Sequence, residues 1–201
     1  MNGFEKRSQQ KMQAIKNATF ALLNQPEGVE GVRMDKVAKE AGVSKATIFK
    51  YFHSKERLIQ QVFLDYLDTI AMEATDFLQE DRPFEDKLMA LAQVKIKHLE
   101  QVDQQFFIDL MNQYSQKADA ELAAKMQAYN QRYYEVMATL LQQGRQEGKI
   151  DLKYSDEFIM IYLESMVQGV TNPAIYQKIN IHYTEYWAEM LLKALAPSPE
   201  K

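Results

Sequence analysis

The chain has 201 residues, of which 46% are hydrophobic and 26% charged, with no cysteine, seven glycines and five prolines. That is enough apolar material to close a core, so a disordered chain is excluded, and with it any disulfide framework, thiolate metal site or cysteine nucleophile. The net charge of −4 conceals a split: residues 1–60 carry 11 Lys and Arg against 6 Asp and Glu, and residues 61–201 carry 13 against 22. A basic end suited to a polyanion precedes an acidic body. Asn2 to Gln13 is polar and charged, unlike a signal peptide, and no apolar run approaches the ~20 residues of a membrane helix, so the expected compartment is the cytoplasm.

Scarce glycine and proline let helices run long, and the breaks divide the chain. A first amphipathic helix, roughly Phe4 to Asn24, buries Ile15, Ala18, Phe20, Leu22 and Leu23 and stops at Pro26-Glu27-Gly28. Met34 to Ala41 forms a second, closed by Gly42 as an αL cap, and Ser44 can cap a short third over Lys45 to Tyr51. Ser54 can cap a fourth that continues to about Gln79. Pro83 opens a fifth, which fades near Val102-Asp103, and Phe106 to Tyr114 make a sixth. The seventh runs from Ala118 to about Glu147 before Gly148. Ser155 or Asp156 starts an eighth, ending near Thr171-Asn172-Pro173, and the ninth spans Tyr176 to Ala196 before Pro197. The expected fold is all-α, with about nine helices.

Val37 to Phe52 has the spacing of a helix-turn-helix. Val37 and Ala41 face Val43, Ile48 and Phe52 across the turn, and Ala38 and Ala41 permit close packing near a right angle. This leaves Lys45, Ala46, Thr47, Phe49, Lys50 and Tyr51 outward, a set of cations, a hydroxyl, a methyl and aromatics of the kind that read a DNA groove. Together with Phe52-His53-Ser54-Lys55-Glu56-Arg57-Leu58, this segment resembles the N-terminal DNA-binding domain of the tetracycline-repressor (TetR) family of bacterial transcription regulators. The resemblance implies that Lys45, Ala46 and Lys50 face bases and that Thr47, Tyr51 and Lys55 grip phosphates. Ser44 and His53 flank that surface. Two departures stand out: Phe49 replaces the usual Tyr, and Arg33-Met34 opens the second helix without a Ser or Thr cap, although Arg33 can still reach a phosphate as a charge. Beyond residue 60 the likeness is architectural, with an echo of the family's seventh helix in Leu141 to Asp151. The implied division is a DNA-binding domain over 1–55 and a ligand-binding and dimerisation domain over 56–201.

The second half gathers aromatic and methionine side chains on several helices. Tyr66, Ile70 and Phe77 share one side of the fourth helix; Phe106, Phe107, Leu110 and Tyr114 crowd the sixth; Tyr129, Tyr133 and Met137 line the seventh, with Tyr162 and Met166 on the eighth. Each stripe is first a core stripe, but together, with Gln113, Asn130, His98 and Gln168 as polar anchors, they suit a concave apolar site. The resemblance implies a ligand pocket there for a small lipophilic effector, and Glu135, Asp109 and Glu164 leave room for a cationic one. The fourth helix would join pocket to DNA-binding domain. Phe158, Ile161, Ser165 and Gly169, with Tyr183, Trp187, Met190, Leu191 and Ala194, form stripes for a homodimer that would set two recognition helices on a palindromic operator. No catalytic residue, metal site, cofactor or membrane partner is expected: phosphate loop and nucleophile elbow are missing, and His53, His98 and His182 are scattered. The competing class is an all-helical interaction module that does not bind DNA.

Overall fold

The computed structural model describes residues 3–114, 120–176, 178–180 and 182–198, and every regular element among the described residues is a helix. The chain divides into two compact units, Met1–Tyr66 with Val102–Lys117, and Leu67–Gln101 with Ala118–Lys201.

The first unit holds α1 (Gly3–Leu23), α2 (Gly28–Gly31), α3 (Met34–Glu40), α4 (Lys45–Phe52), the start of α5 (Lys55–Gln79) and α7 (Gln104–Tyr114). Its core is the set of inward positions that helical periodicity selects: Ile15 and Leu23 on α1, Val37 and Ala38 on α3, Ile48 and Phe52 on α4, Leu58 and Phe63 on α5, all buried. Phe106 of α7 is fully buried against Phe20, Phe63 and Tyr66, with ring centroids 5.3, 5.1 and 5.0 Å away in edge-to-face pairs. Such pairs add about 0.5–1.5 kcal/mol each to the burial of the rings. This unit is therefore larger than residues 1–55, because α7 returns to complete its core.

Polar contacts fix α7 in place. Asp109 Oδ2 accepts a hydrogen bond from the Val29 N–H at 2.7 Å, satisfying a donor in the first turn of α2, and Gln105 Nε2 donates to its other oxygen at 2.9 Å. Asn24 Oδ1 accepts from the Asp103 N–H, and the Asp103 carboxylate accepts from the Gln105 N–H at 2.8 Å. That last contact is an N-cap, and it explains why α7 starts at Gln104, two residues before the expected Phe106.

The second unit contains the rest of α5, α6 (Phe84–Leu99), α8 (Ala120–Gln146), α9 (Asp156–Thr171), α10 (Pro173–Tyr176) and α11 (Tyr183–Leu195). Phe84 and Leu88 from α6, Met137, Leu140 and Leu141 from α8, Ile159 from α9 and Leu191 and Leu195 from α11 make its core, closed by Ile150. Pro83 brings no side-chain cap to α6, and Glu147, in the turn just after α8, supplies one by accepting from the Phe84 N–H at 2.9 Å. That contact and a hydrogen bond from Gln143 hold the Glu147 carboxyl below its usual range.

The described residues contain eleven helical segments where nine were expected. The additions are α2 and α10, single turns that punctuation conceals. Residues 118 and 119, the expected start of the seventh helix, lie outside the described residues. The last helix begins at Tyr183 instead of Tyr176, because Asn172 Oδ1 accepts from the Ala174 N–H and Asn180 Oδ1 from the His182 N–H, each at 3.0 Å. The second of these Asx turns takes a backbone donor that a helix running on from Tyr176 would have used.

Gly28 has φ +51, and a Cβ there would stand 2.1 Å from Asp109 Oδ2. Gly28→Ala is therefore expected to destabilise the protein by at least ~2 kcal/mol in chemical denaturation, through backbone strain and the clash together. Adding Asp109→Ala should recover part of the loss, and strictly additive effects would show that the two residues do not meet.

Candidate functional site

α3 and α4 are set by the turn between them. Gly42 takes φ +63, the Val43 N–H reaches back to the Ala38 carbonyl at 3.0 Å, and Ser44 begins α4 with its Oγ accepting from the Thr47 N–H at 3.2 Å. Ile48 and Phe52 are buried, so the opposite side of α4 faces out: Lys45, Ala46 and Lys50 are exposed and Phe49 is 44% exposed. Arg33 precedes α3 and is exposed, with no side-chain cap on that helix.

The outward side chains differ in how they are held. Lys45 lies 4.0 Å from Asp35, an exposed pair worth little and easily released to another acceptor. Thr47 Oγ1 is 2.9 Å from Ser44 Oγ. Tyr51 is half-buried and its hydroxyl accepts from Ser8 Oγ at 3.1 Å, so α1 orients the phenol and leaves its own hydrogen for an outside acceptor. Lys55 is half-buried in the first turn of α5, where Ser54 Oγ accepts from the Arg57 N–H at 3.1 Å. Glu56 bonds to backbone and to Ser54 in that same turn, which holds its carboxyl below its usual value, so an incoming anion at this helix start meets a carboxylate already in place.

His53 is exposed and ends α4 with φ +66, its N–H donating to the Phe49 carbonyl at 2.9 Å. It is the non-glycine residue among the described ones with positive φ. Sequence reading placed His53 at the surface and missed the backbone role, which histidine, unlike glycine, does not announce. A left-handed residue with a Cβ costs roughly 1–2 kcal/mol, so His53→Gly should raise the melting temperature by a few degrees. An unchanged or lowered melting temperature would mean that the conformation carries no strain.

The residues expected at an effector pocket fall in both units. Tyr66, Phe106 and Leu110 are buried in the first unit, and burial pushes the Tyr66 hydroxyl well above the usual tyrosine range. Phe107 is half-buried in the same unit. In the second unit Ile70 and Met137 are buried, Phe77, Tyr133 and Met166 are half-buried, and Tyr162 stands 45% exposed on the surface of α9. The side chains of Tyr114, Tyr129, Asn130 and Gln168 lie outside the described residues.

The three carboxylates offered for a cationic ligand are occupied. Asp109 serves α2, Glu164 accepts from the Tyr134 hydroxyl at 2.9 Å, and Glu135 accepts from Gln131 at 3.0 Å. His98 is buried with its Nε2 2.7 Å from Glu73, whose other oxygen meets Lys97. No group of three or more potential metal ligands occurs among the described residues, and no helix among them is long and apolar enough to cross a membrane.

The pairing stripes stand on the surface. Phe158, Ile161, Tyr162 and Ser165 are exposed on α9 at spacings of three, one and three, and Tyr183, Tyr186, Met190 and Ala194 are exposed along α11. Gly169 and Trp187 are half-buried. Leu191 packs into the core of the second unit.

The sequence profile described as bacterial regulatory proteins, tetR family, matches residues 15–62. YhgD of Bacillus subtilis (strain 168), an uncharacterized HTH-type transcriptional regulator, is 33% identical over 61 residues, covering 30% of this chain and 32% of that protein. The chain thus aligns with about a third of the length of that curated relative. Among solved structures, the fatty acid degradation regulator FadR from Bacillus halodurans superposes with a TM-score of 0.65 at 22% identity, covering 90% of this chain and 96% of that one. FadR from Bacillus subtilis in complex with stearoyl-CoA gives 0.64 at 20% identity, covering 96% and 99%. At these identities the likeness is one of fold.

Proposed function

We propose that the chain is a bacterial regulatory protein of the tetR family, a reading supported by the match of residues 15–62 to that family's profile, and that it is a repressor that binds a palindromic operator as a homodimer and is released by a lipophilic small molecule. The observation that carries this reading is the presentation of Lys45, Ala46, Phe49 and Lys50 on one open side of a helix whose other side is locked by Ile48 and Phe52. Cations with a methyl and an aromatic on a helix of this size match what a major groove offers. Arg33, Tyr51 and Lys55 flank it as phosphate contacts, with Ser44 and Thr47 at the helix start, and His53 shapes the turn that follows.

Two-fold pairing is supported by the uncovered stripes on α9 and α11. Six large apolar or aromatic side chains between 43% and 64% exposed on two helices form a surface that a partner copy would cover. Pairing through it would set two recognition helices about one DNA turn, ~34–36 Å, apart. No group of potential metal ligands among the described residues points to enzymatic chemistry, and the cytoplasm is the compartment this reading assigns.

Genomic DNA fragments recovered with the protein should yield a palindromic sequence, and anisotropy titrations with that duplex test the assignment. Lys55→Ala and Tyr51→Phe should weaken binding to all duplexes, Lys55→Ala lowering the salt slope by about 1, whereas Lys45→Ala and Lys50→Ala should relax base preference at ~1–3 kcal/mol per lost contact. If all four variants bound like the parent, the proposed face would be wrong.

Ile161→Asp places a charge on the outer stripe without disturbing the core, since Ile161 is 59% exposed. The folded variant should sediment as a monomer at micromolar concentration. A persistent dimer would move the interface elsewhere.

A further inference from the structure

α6 carries a charge where its pattern calls for an apolar residue. Phe84, Leu88, Leu91 and Lys95 follow at spacings of four, three and four, so Lys95 continues the stripe that packs inward. Phe84 and Leu88 are buried, and Leu91 packs half-buried against the same core. The solvent side of this helix lies opposite, at Asp86, Gln93 and Lys97, all exposed.

Lys95 nevertheless keeps open surface of its own. On a helix packed by α8 and α11, a side chain that combines open surface with desolvation by the protein around it fits a concave space rather than an outer face. Its ammonium lies 5.8 Å from the ring centroid of Tyr133, which itself packs against the core from α8. Desolvation by the surrounding protein pushes the lysine below its ordinary pKa, with no carboxylate offsetting it. Among the described residues, no acid lies within ion-pair distance of Lys95; Glu73, the acid bonded to α6 from α5, is engaged by Lys97 and His98.

We infer that Lys95 is the head-group anchor of an effector site in the second unit, between α6 and α8, and that the effector is an anionic amphiphile whose negative group meets Lys95 while its apolar body lies along the aromatic and aliphatic side chains beside Tyr133. A desolvated cation that meets an aromatic face and, among the described residues, no acid gains most from an anion brought in from outside. The sign is opposite to the cationic ligand that Glu135, Asp109 and Glu164 suggest in sequence. This inference deepens the proposed effector response and rests on it for its regulatory meaning, but not for the binding itself.

The full-length protein can be tested with probes of one chain length: decanoate, decanoyl-CoA, 1-decanol and decyltrimethylammonium, titrated calorimetrically. Decanoate or decanoyl-CoA is expected to bind at least tenfold more tightly than decanol, and decyltrimethylammonium most weakly; the two anions distinguish a carboxylate head from a phosphate-bearing one. Lys95→Met, which extends the apolar stripe and should stay folded, should bring the best anion to within about twofold of decanol. Lys95→Arg should keep most of the preference. Equal binding of anion and alcohol by the parent, no binding of any anion, or an unchanged preference in Lys95→Met overturns the inference. Operator binding is measured on the same samples. A protein that binds duplex without anion preference leaves the regulator and refutes the anchor, and one that prefers the anions but binds no duplex does the reverse.

Discussion

The surface that α4 presents depends on the grip on its other side. Ile48 and Phe52 are locked against a core that α1, α3 and α5 also supply, and Gly42 and Ser44 fix where the helix begins. A helix of eight residues has too few hydrogen bonds to be stable alone, so its order is borrowed from tertiary packing. Ser8, reaching Tyr51 from α1, extends that borrowing to a side chain on the outer rim. The consequence is a rigid rather than adaptable face, which suits discrimination among similar sequences.

α7 gives the first unit a further support of a different kind. Phe106 completes an aromatic cluster and Asp109 satisfies a backbone donor of α2, so one helix contributes both apolar burial and a charge-assisted hydrogen bond. Tyr66 and Phe106 were attractive as pocket residues for the same reason that they make good core: aromatic side chains bury large areas wherever they are placed.

Local signals were legible in the sequence wherever a residue acts on its near neighbours. Ser44 and Ser155 cap as their positions suggest, Gly42 takes the left-handed conformation expected of it, and the exposed stripes on α9 and α11 follow helical spacing. What could not be read depends on distant partners. Nothing near Asp109 in sequence points to the Val29 N–H, nothing near Pro83 points to Glu147 as the missing cap, and Leu191 shares its helix with outward residues yet turns inward. Lys95 is the intermediate case. Its place on an apolar stripe is visible in the sequence, but an interior charge becomes meaningful only when the space in front of it is known to be open.

The return of α7 also bears on the order in which the protein can be made. Residues up to Tyr66 leave the ribosome with Phe20, Phe63 and Tyr66 lacking the ring that lies among them, and the Val29 N–H lacking its carboxylate. Residues 67–101 must be synthesised before Phe106 can arrive, and the loop they form has to close at an entropic cost. Nascent chains therefore carry an incomplete first unit with uncovered aromatic surface through that interval. Synthesis of the intervening segment thus acts as a delay between the appearance of α4 and the full stabilisation of the unit that holds it.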